Sequence, residues 1–144
     1  NDNFNEKTSH VIPAMIRKFV EAAEAGAPEV TCWGTGKATR SFLYAPDAAK
    51  AITAACSELD SDEIVNLAGC DEISMKALAS LVAKLSKFKG ETIWDATKPD
   101  GQPRRSLDGT RARSMLGWAP ETTLTQGLEE TITWYLEERK GKKA

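Results

Sequence analysis

Two rhythms of apolar residues alternate along the chain, one close to a helical turn and one close to a strand's every-second-residue spacing. Val11, Ile12, Met15, Ile16, Phe19 and Ala23 follow the first and predict a helix over about Val11–Ala25. Ser9 is its expected N-cap, and Pro13 falls in the first turn, where its missing N–H costs little. Gly26 ahead of Pro28 ends it. Glu29-Val30-Thr31-Cys32-Trp33 is a β-prone run, and the turn-rich Gly34–Arg40 then leads to Ser41–Ala45, so a strand, a turn and a second strand are expected. Asp47 is placed to cap an alanine-rich helix over about Ala48–Ser57. Glu63–Ala68 reads as a buried strand ending at Gly69, and Ser74 as the cap of a helix carrying Leu78, Leu81, Val82 and Leu85.

A basic stretch, Lys84–Gly90, closes that helix in the sense its dipole favours. Glu91–Asp95 is the last clear strand. Asp108 is expected to cap a short helix through Met115, stopped by Gly117. Leu124, Leu128, Ile132 and Leu136 recur every fourth residue in an amphipathic helix over about Thr125–Arg139, with Lys140–Ala144 as a frayed, solvated tail. Several strands are too short for a complete doubly wound sheet. The pattern predicts a small mixed α/β domain of helices and short strands, without a complete Rossmann domain.

Size and charge narrow the picture. The 144 residues, 41% hydrophobic, suit one domain spanning 1–144 with a real core. Nineteen Lys and Arg against 21 Asp and Glu leave a formal charge of -2, so no global basic field draws the chain to nucleic acid or to an anionic membrane. Any anion site must be local. No apolar run approaches the ~20 residues of a membrane span, and the polar Asn1–Lys7 resembles no signal peptide, which leads to an expected cytoplasmic location. Cys32, Cys56 and Cys70 are odd in number and lack metal-type spacing. They are expected to be small core hydrophobes, with neither a disulfide framework nor a metal site.

Candidate chemistry concentrates in Lys98-Pro99-Asp100-Gly101-Gln102-Pro103-Arg104-Arg105, between an expected strand and an expected helix. Prolines stiffen such a loop, glycine allows close backbone approach, and arginine offers a planar fork to phosphate or carboxylate. A plain surface turn has the same local composition. Trp33 and Arg40 flank the other turn, so an aromatic face and a guanidinium can meet one ligand there; a core tryptophan and a solvated arginine are the structural alternative. Gly34-x-Gly36 lacks the third glycine of a dinucleotide fingerprint, Thr39 standing in its place, and no helix pattern follows it. His10, the single histidine, stands at a helix start and is either catalytic or structural.

In order, Ser9-His10-Val11-Ile12-Pro13-Ala14, Val30-Thr31-Cys32-Trp33-Gly34-Thr35-Gly36, Arg40-Ser41-Phe42-Leu43-Tyr44, Lys98-Pro99-Asp100-Gly101-Gln102-Pro103-Arg104 and Leu116-Gly117-Trp118 closely resemble the GDP-L-fucose synthase family. That family lies within the extended short-chain dehydrogenase/reductases, the NAD-dependent epimerases and dehydratases, and the likeness falls on its C-terminal substrate-binding region. The resemblance implies that His10 is a general acid in epimerisation, near a nicotinamide cofactor. It implies that Trp33, Arg40 and Asp100 hold a GDP-sugar as aromatic surface, diphosphate guanidinium and nucleotide-pocket carboxylate. Lys18 stands where the family has a nucleotide-contacting cation, and it supplies charge without a bidentate fork. Arg104 joins the same set.

The family's dinucleotide-binding half, its Ser and Tyr-x-x-x-Lys hydride-transfer residues and its catalytic cysteine have no counterpart here. Tyr44 is followed four positions on by Ala48, and Tyr135 by Arg139. The sequence also departs at Tyr44-Ala45-Pro46-Asp47, where the family usually has His-Val-Asp-Asp, and at Leu67-Ala68-Gly69-Cys70, in place of Val-Gly-Thr-Gly.

Three readings follow. The first is a substrate-binding domain or fragment of a GDP-L-fucose synthase-like epimerase/reductase. The intact enzyme would act on GDP-4-keto-6-deoxymannose with NADP, and this chain would bind the nucleotide-sugar without turnover or cofactor. The second changes the sugar nucleotide to a UDP- or dTDP-sugar, against which the Lys-Pro-Asp-Gly loop argues. The third is a stand-alone, non-catalytic module that binds a nucleotide-sugar or a protein. In each, an apolar face left by a missing neighbour would seek a dinucleotide-binding partner or self-association.

Overall fold

Ile16 and Phe19, Leu78 and Val82, and Leu128 are all but sealed from solvent, and they come from three helices that share one core. In this computed structural model, which describes residues 2–5, 8–69 and 71–141, the helices are α1 (Val11–Ala25), α3 (Met75–Leu85) and α5 (Leu124–Gly141). The remaining elements are β1 (Glu29–Trp33), β2 (Thr39–Arg40), α2 (Ala45–Glu58), β3 (Ile73–Ser74), β4 (Glu91–Asp95), β5 (Arg104–Arg105) and α4 (Thr110–Leu116). The fold is mixed α/β, as the alternating pattern predicts.

β1 alternates strictly. Val30 and Cys32 face the helical core, while Glu29, Thr31 and Trp33 face out. It pairs in parallel with β4 from Glu29↔Glu91 to Trp33↔Asp95. A second, smaller sheet has the order β3-β2-β5, with Thr39 opposite Ser74 on one side and Arg104 on the other. Both chains leaving the first sheet therefore enter the second, and two loops run side by side between the sheets.

Local chemistry explains several boundaries. Gly26 takes a left-handed conformation (φ 63°) and Gly117 another (φ 58°), each closing its helix as expected. Ser74 Oγ accepts the Ala77 N–H at 3.1 Å, the predicted cap of α3. Phe4 stacks on Tyr135 with ring centroids 4.3 Å apart, and Arg17 Nη1 donates to the Phe4 carbonyl at 3.2 Å, so the N-terminal segment lies against α5.

Other expectations are corrected. His10, not Ser9, is the N-cap of α1, and Ser9 Oγ is buried without a hydrogen-bond partner among the described residues. The two expected strands do not pair with each other: β1 pairs with β4, the second strand is Thr39–Arg40, Ser41–Tyr44 lies outside any ladder, and Ala45 opens α2. Glu63–Ala68 forms no ladder, and Ile64 is 78% exposed, not buried. Asp47 lies inside the first turn of α2, capped by Tyr44 instead, and is 2% exposed. Asp108 accepts from Thr110 as a local turn while Gly109 is the N-cap of α4. α5 runs on through Lys140 and Gly141, and 142–144 lie outside the described residues. Cys32 is a core residue whose thiol burial pushes it above its ordinary pKa, whereas Cys56 is exposed; Cys70 lies outside the described residues. Among the described residues, no helix is long and apolar enough to cross a membrane, and no cluster of three or more His, Cys, Asp and Glu side chains is arranged to hold a metal ion.

Candidate functional site: the paired loops after β1 and β4

Parallel strands end on the same side, so β1 and β4 deliver loops 34–38 and 96–103 to one edge. The Gly34 N–H still donates to the Asp95 carbonyl at 3.0 Å, and beyond it side chains take over the joining. Asp100 Oδ1 accepts the Thr35 N–H at 2.6 Å and Asp100 Oδ2 accepts the Thr35 hydroxyl at 2.6 Å. These hydrogen bonds, the hydroxyl's first, hold the Asp100 carboxyl below its usual range, so it is ionised at neutral pH. Gly34 has φ 82°, and a Cβ there would collide with Asp100 Oδ1. Glycine is required for the approach.

Trp33 stands at the mouth of this edge, 67% exposed, with Lys98 Nζ 5.9 Å from its ring centroid. An exposed indole under a cation is a surface on which a nucleobase can stack and beside which an anion is welcome. Lys18, from α1, donates Nζ to the Thr31 carbonyl at 2.9 Å, which ties α1 to β1.

The second sheet presents the guanidiniums. Arg40, half-buried on β2, donates Nη1 to the Thr39 carbonyl at 2.6 Å. A Cβ on Gly101 would lie 3.9 Å from Arg40 Nη2, so loop 96–103 runs against this side chain. Among the described residues Arg40 enters no ion pair with a carboxylate. Arg104 differs. Its Nε and Nη2 donate to Glu72, both at 2.9 Å at their closest, and Glu72 also accepts the Thr39 hydroxyl. That pairing draws the Glu72 carboxyl below its ordinary range. Of these two, Arg40 enters no ion pair among the described residues and Arg104 is internally paired.

His10 lies elsewhere. It is exposed at the start of α1 and lines an open groove of about 800 Å3 with Ile12, Phe42, Tyr44, Leu128 and Trp134. Tyr44 spans this groove to donate its hydroxyl to Glu130 at 2.6 Å, which raises the phenol's pKa. None of Lys18, Trp33, Arg40, Asp100 and Arg104 lines the groove; the extended segment from Arg40 to Tyr44 joins the two places. The structure thus gathers Trp33, Arg40, Asp100 and Arg104 along the loops and the small sheet, bonds Lys18 to the backbone of β1, and separates His10.

Thr35 and Glu72 carry no site role in the sequence pattern, and Lys98 enters it only as part of the proline-rich loop. A threonine between two glycines directly after a strand was the available signal for Thr35; Glu72 carries none, because its partners arrive from β2 and β5. The Gly34–Gly36 turn does not fit a dinucleotide phosphate: Asp100 fills the space at Gly34, and a Cβ at Gly36 would be 3.0 Å from the Trp94 ring.

Comparison with known proteins supports the likeness read from the motifs. Residues 1–68 match the NAD dependent epimerase/dehydratase family. The chain is 44% identical to putative GDP-L-fucose synthase 2 of Arabidopsis thaliana over 95% of its own length and 42% of that protein. It is 38% identical to the GDP-L-fucose synthase of Escherichia coli K12, over 95% of this chain and 45% of that protein. A crystal structure of a GDP-L-fucose synthetase from Naegleria fowleri superposes with a TM-score of 0.89 at 29% identity, covering 96% of this chain and 43% of that one. The same enzyme has also been solved bound to NADP. The chain therefore spans less than half the length of these relatives, and its fold is part of an extended short-chain dehydrogenase/reductase fold. Carrying the epimerase/dehydratase match in its first 68 residues and similarity to these synthases along almost all of its length, the chain is a homologue of the GDP-L-fucose synthases.

Proposed function

We propose that this chain is the nucleotide-sugar-holding part of a GDP-L-fucose synthase-like epimerase/reductase, with GDP-4-keto-6-deoxymannose as the substrate. The observation that carries the reading is the joined pair of loops: the exposed Trp33 indole lies beside Lys98, and the Arg40 guanidinium, in no ion pair among the described residues, lies against Gly101 of the same loop. An aromatic face, a stiff loop and a free cation are what a nucleoside diphosphate asks of a site. Trp33 takes the aromatic contact, Arg40 the diphosphate, Asp100 frames the nucleotide pocket, and Lys18 and Arg104 add positive charge at its margins.

His10 serves the reading as general acid in epimerisation by the family-length enzyme, in which a proton α to the ketone is removed and returned on the other face. NADP would supply hydride to that enzyme. The glycine turn present here does not suit the cofactor's phosphates, and the chain by itself would bind the nucleotide-sugar without turnover. A cytoplasmic location accords with a nucleotide-sugar ligand.

Titration of the purified chain with GDP and with UDP tests the reading, following tryptophan fluorescence and the heat of binding. Saturable GDP binding with much weaker UDP binding is expected. Absence of binding to both, or a preference for UDP, would overturn it.

A further inference from the structure

We propose that Thr35 is a positioning residue for nucleotide binding: by engaging both oxygens of Asp100 it locks loop 34–38 to loop 96–103 and fixes the Trp33 indole relative to Lys98. The inference rests on the nucleotide-sugar reading for its ligand, although the lock itself is independent of any ligand.

Aspartate–threonine pairs of this kind recur among the described residues, and Asp47 with Thr122 is another that joins distant segments. Asp95 accepts from the N–H and hydroxyl of Thr97, and Asp108 from those of Thr110, each two residues along, which closes a local turn. Those two turns use one carboxylate oxygen, Oδ1, for both bonds, whereas Thr35 engages one oxygen of Asp100 with its N–H and the other with its hydroxyl, across 65 residues of sequence. Here the pair joins two segments instead of folding one. The backbone link between them ends at the Gly34 N–H and Asp95 carbonyl, and loop 96–103 regains β-ladder pairing only where β5 meets β2. Over the intervening stretch the Thr35 hydroxyl and N–H span the gap, helped by the Gly36 N–H, which also reaches Asp100.

The rest of the turn is shaped for that grip. Gly34 leaves the room a side chain would occupy, so the carboxylate reaches both the N–H and the hydroxyl of the next residue. The Lys76 N–H donates to the Gly36 carbonyl at 2.9 Å, pinning the far end of the turn to α3. Trp33 immediately precedes this fixed triplet, and Lys98 stands two residues before Asp100. Locking Thr35 to Asp100 therefore sets the spacing of indole and ammonium, which a mobile loop pair would leave to average out. Both contacts are made to an ionised oxygen, the stronger class of hydrogen bond.

The test uses the chain labelled with fluorotryptophan, each fluorine signal assigned by substitution, at neutral pH. Thr35→Val removes the hydroxyl at nearly constant shape, and Thr35→Ser restores it. Without ligand, Thr35→Val is expected to shift or broaden the Trp33 signal while Trp118 and Trp134 stay fixed, and Thr35→Ser to return it. With GDP, Thr35→Val is expected to weaken binding roughly tenfold and Thr35→Ser to recover most of it. An unchanged Trp33 signal together with unchanged GDP affinity overturns the proposal. Should Thr35→Val move all the tryptophan signals, Asp100→Asn decides the same question from the other partner. If the unsubstituted chain fails to bind GDP, the nucleotide reading falls, and the fluorine signals still decide the lock.

Discussion

Asp47 Oδ2 accepts the backbone N–H of Thr122 at 2.8 Å and that of Glu121 at 3.1 Å, fastening the first turn of α2 to the segment that enters α5. Lys50 stands nearby, 3.9 Å from Asp47 and 2.6 Å from Glu121. The aspartate is nearly inaccessible, so losing it strands two backbone donors. Asp47→Ala is expected to cost about 2 kcal/mol in urea unfolding. Asp47→Asn, which keeps an acceptor oxygen, should cost clearly less. Equal losses would show that the charge, and not the acceptor, matters.

Stability should fall on the acid side. Asp47, Glu72, Asp95, Asp100 and Asp108 are all held below their ordinary carboxyl pKa, chiefly by hydrogen bonds from Thr122, Arg104, Thr97, Thr35 and Thr110 respectively. A depressed folded value stabilises the fold above the unfolded pKa of about 4 and loses that contribution as pH falls through the folded value. Thermal melts should therefore change little from neutrality to about pH 5 and decline steeply below about pH 4. A midpoint that rose with acidification would contradict these contacts.

The two guanidiniums should not be equivalent. Arg40 enters no ion pair among the described residues, whereas Arg104 is neutralised by Glu72. Arg40→Ala is expected to weaken GDP binding roughly tenfold, and Arg104→Ala by less. Isothermal titration of both variants checks the order, and a larger loss at Arg104 would reverse the assignment of the diphosphate contact. Arg139, paired with Glu24 far along α5, supplies a reference cation whose removal should weaken binding less than Arg40→Ala does.

Gly34→Ala meets two obstacles, a left-handed backbone and the Asp100 carboxylate. A cost of about 1–3 kcal/mol in stability is expected from the backbone alone. Gly26→Ala, equally left-handed but with nothing near its Cβ, should cost less. The difference between the two variants in a denaturation experiment reports the carboxylate contact.

His10 borders the groove and not the loops. His10→Gln should leave GDP affinity within about twofold, as exposed substitutions away from a contact do. A large loss would place the histidine on the nucleotide.

Much of the helical framework was legible because its signals are local. The apolar spacing of Val11–Ala25, the caps at Ser74, Gly26 and Gly117, and the strands at Glu29–Trp33 and Glu91–Asp95 each depend on neighbours a few residues away. What failed depends on distant partners. Ser9 satisfies the preferences of a cap, yet the helix starts one residue later and its hydroxyl is buried. Asp47 has the same local look, and its acceptors are used by Glu121 and Thr122 instead. Glu63–Ala68 has a strand's composition without a strand to pair with among the described residues. At the site, the resemblance to the family singled out Trp33, Arg40 and Asp100 where residue types alone left structural alternatives open, and nothing before the fold could tell that Arg104 is spent on Glu72 or that Thr35 grips Asp100.

The small sheet has a kinetic consequence. Its ladders are two residues long, and they bring Thr39 and Arg40 beside Ile73 and Ser74 on one flank and beside Arg104 and Arg105 on the other. Such pairings close long stretches of chain for few hydrogen bonds, and contacts of that kind form late in folding. Helices α1 and α3 can assemble first on local spacing alone, while the edge that carries Arg40 waits for residues 104 and 105 to arrive. A partly folded chain would thus hold most of its helical circular dichroism before it could hold a ligand, and ligand binding would report the final step of folding and not its onset.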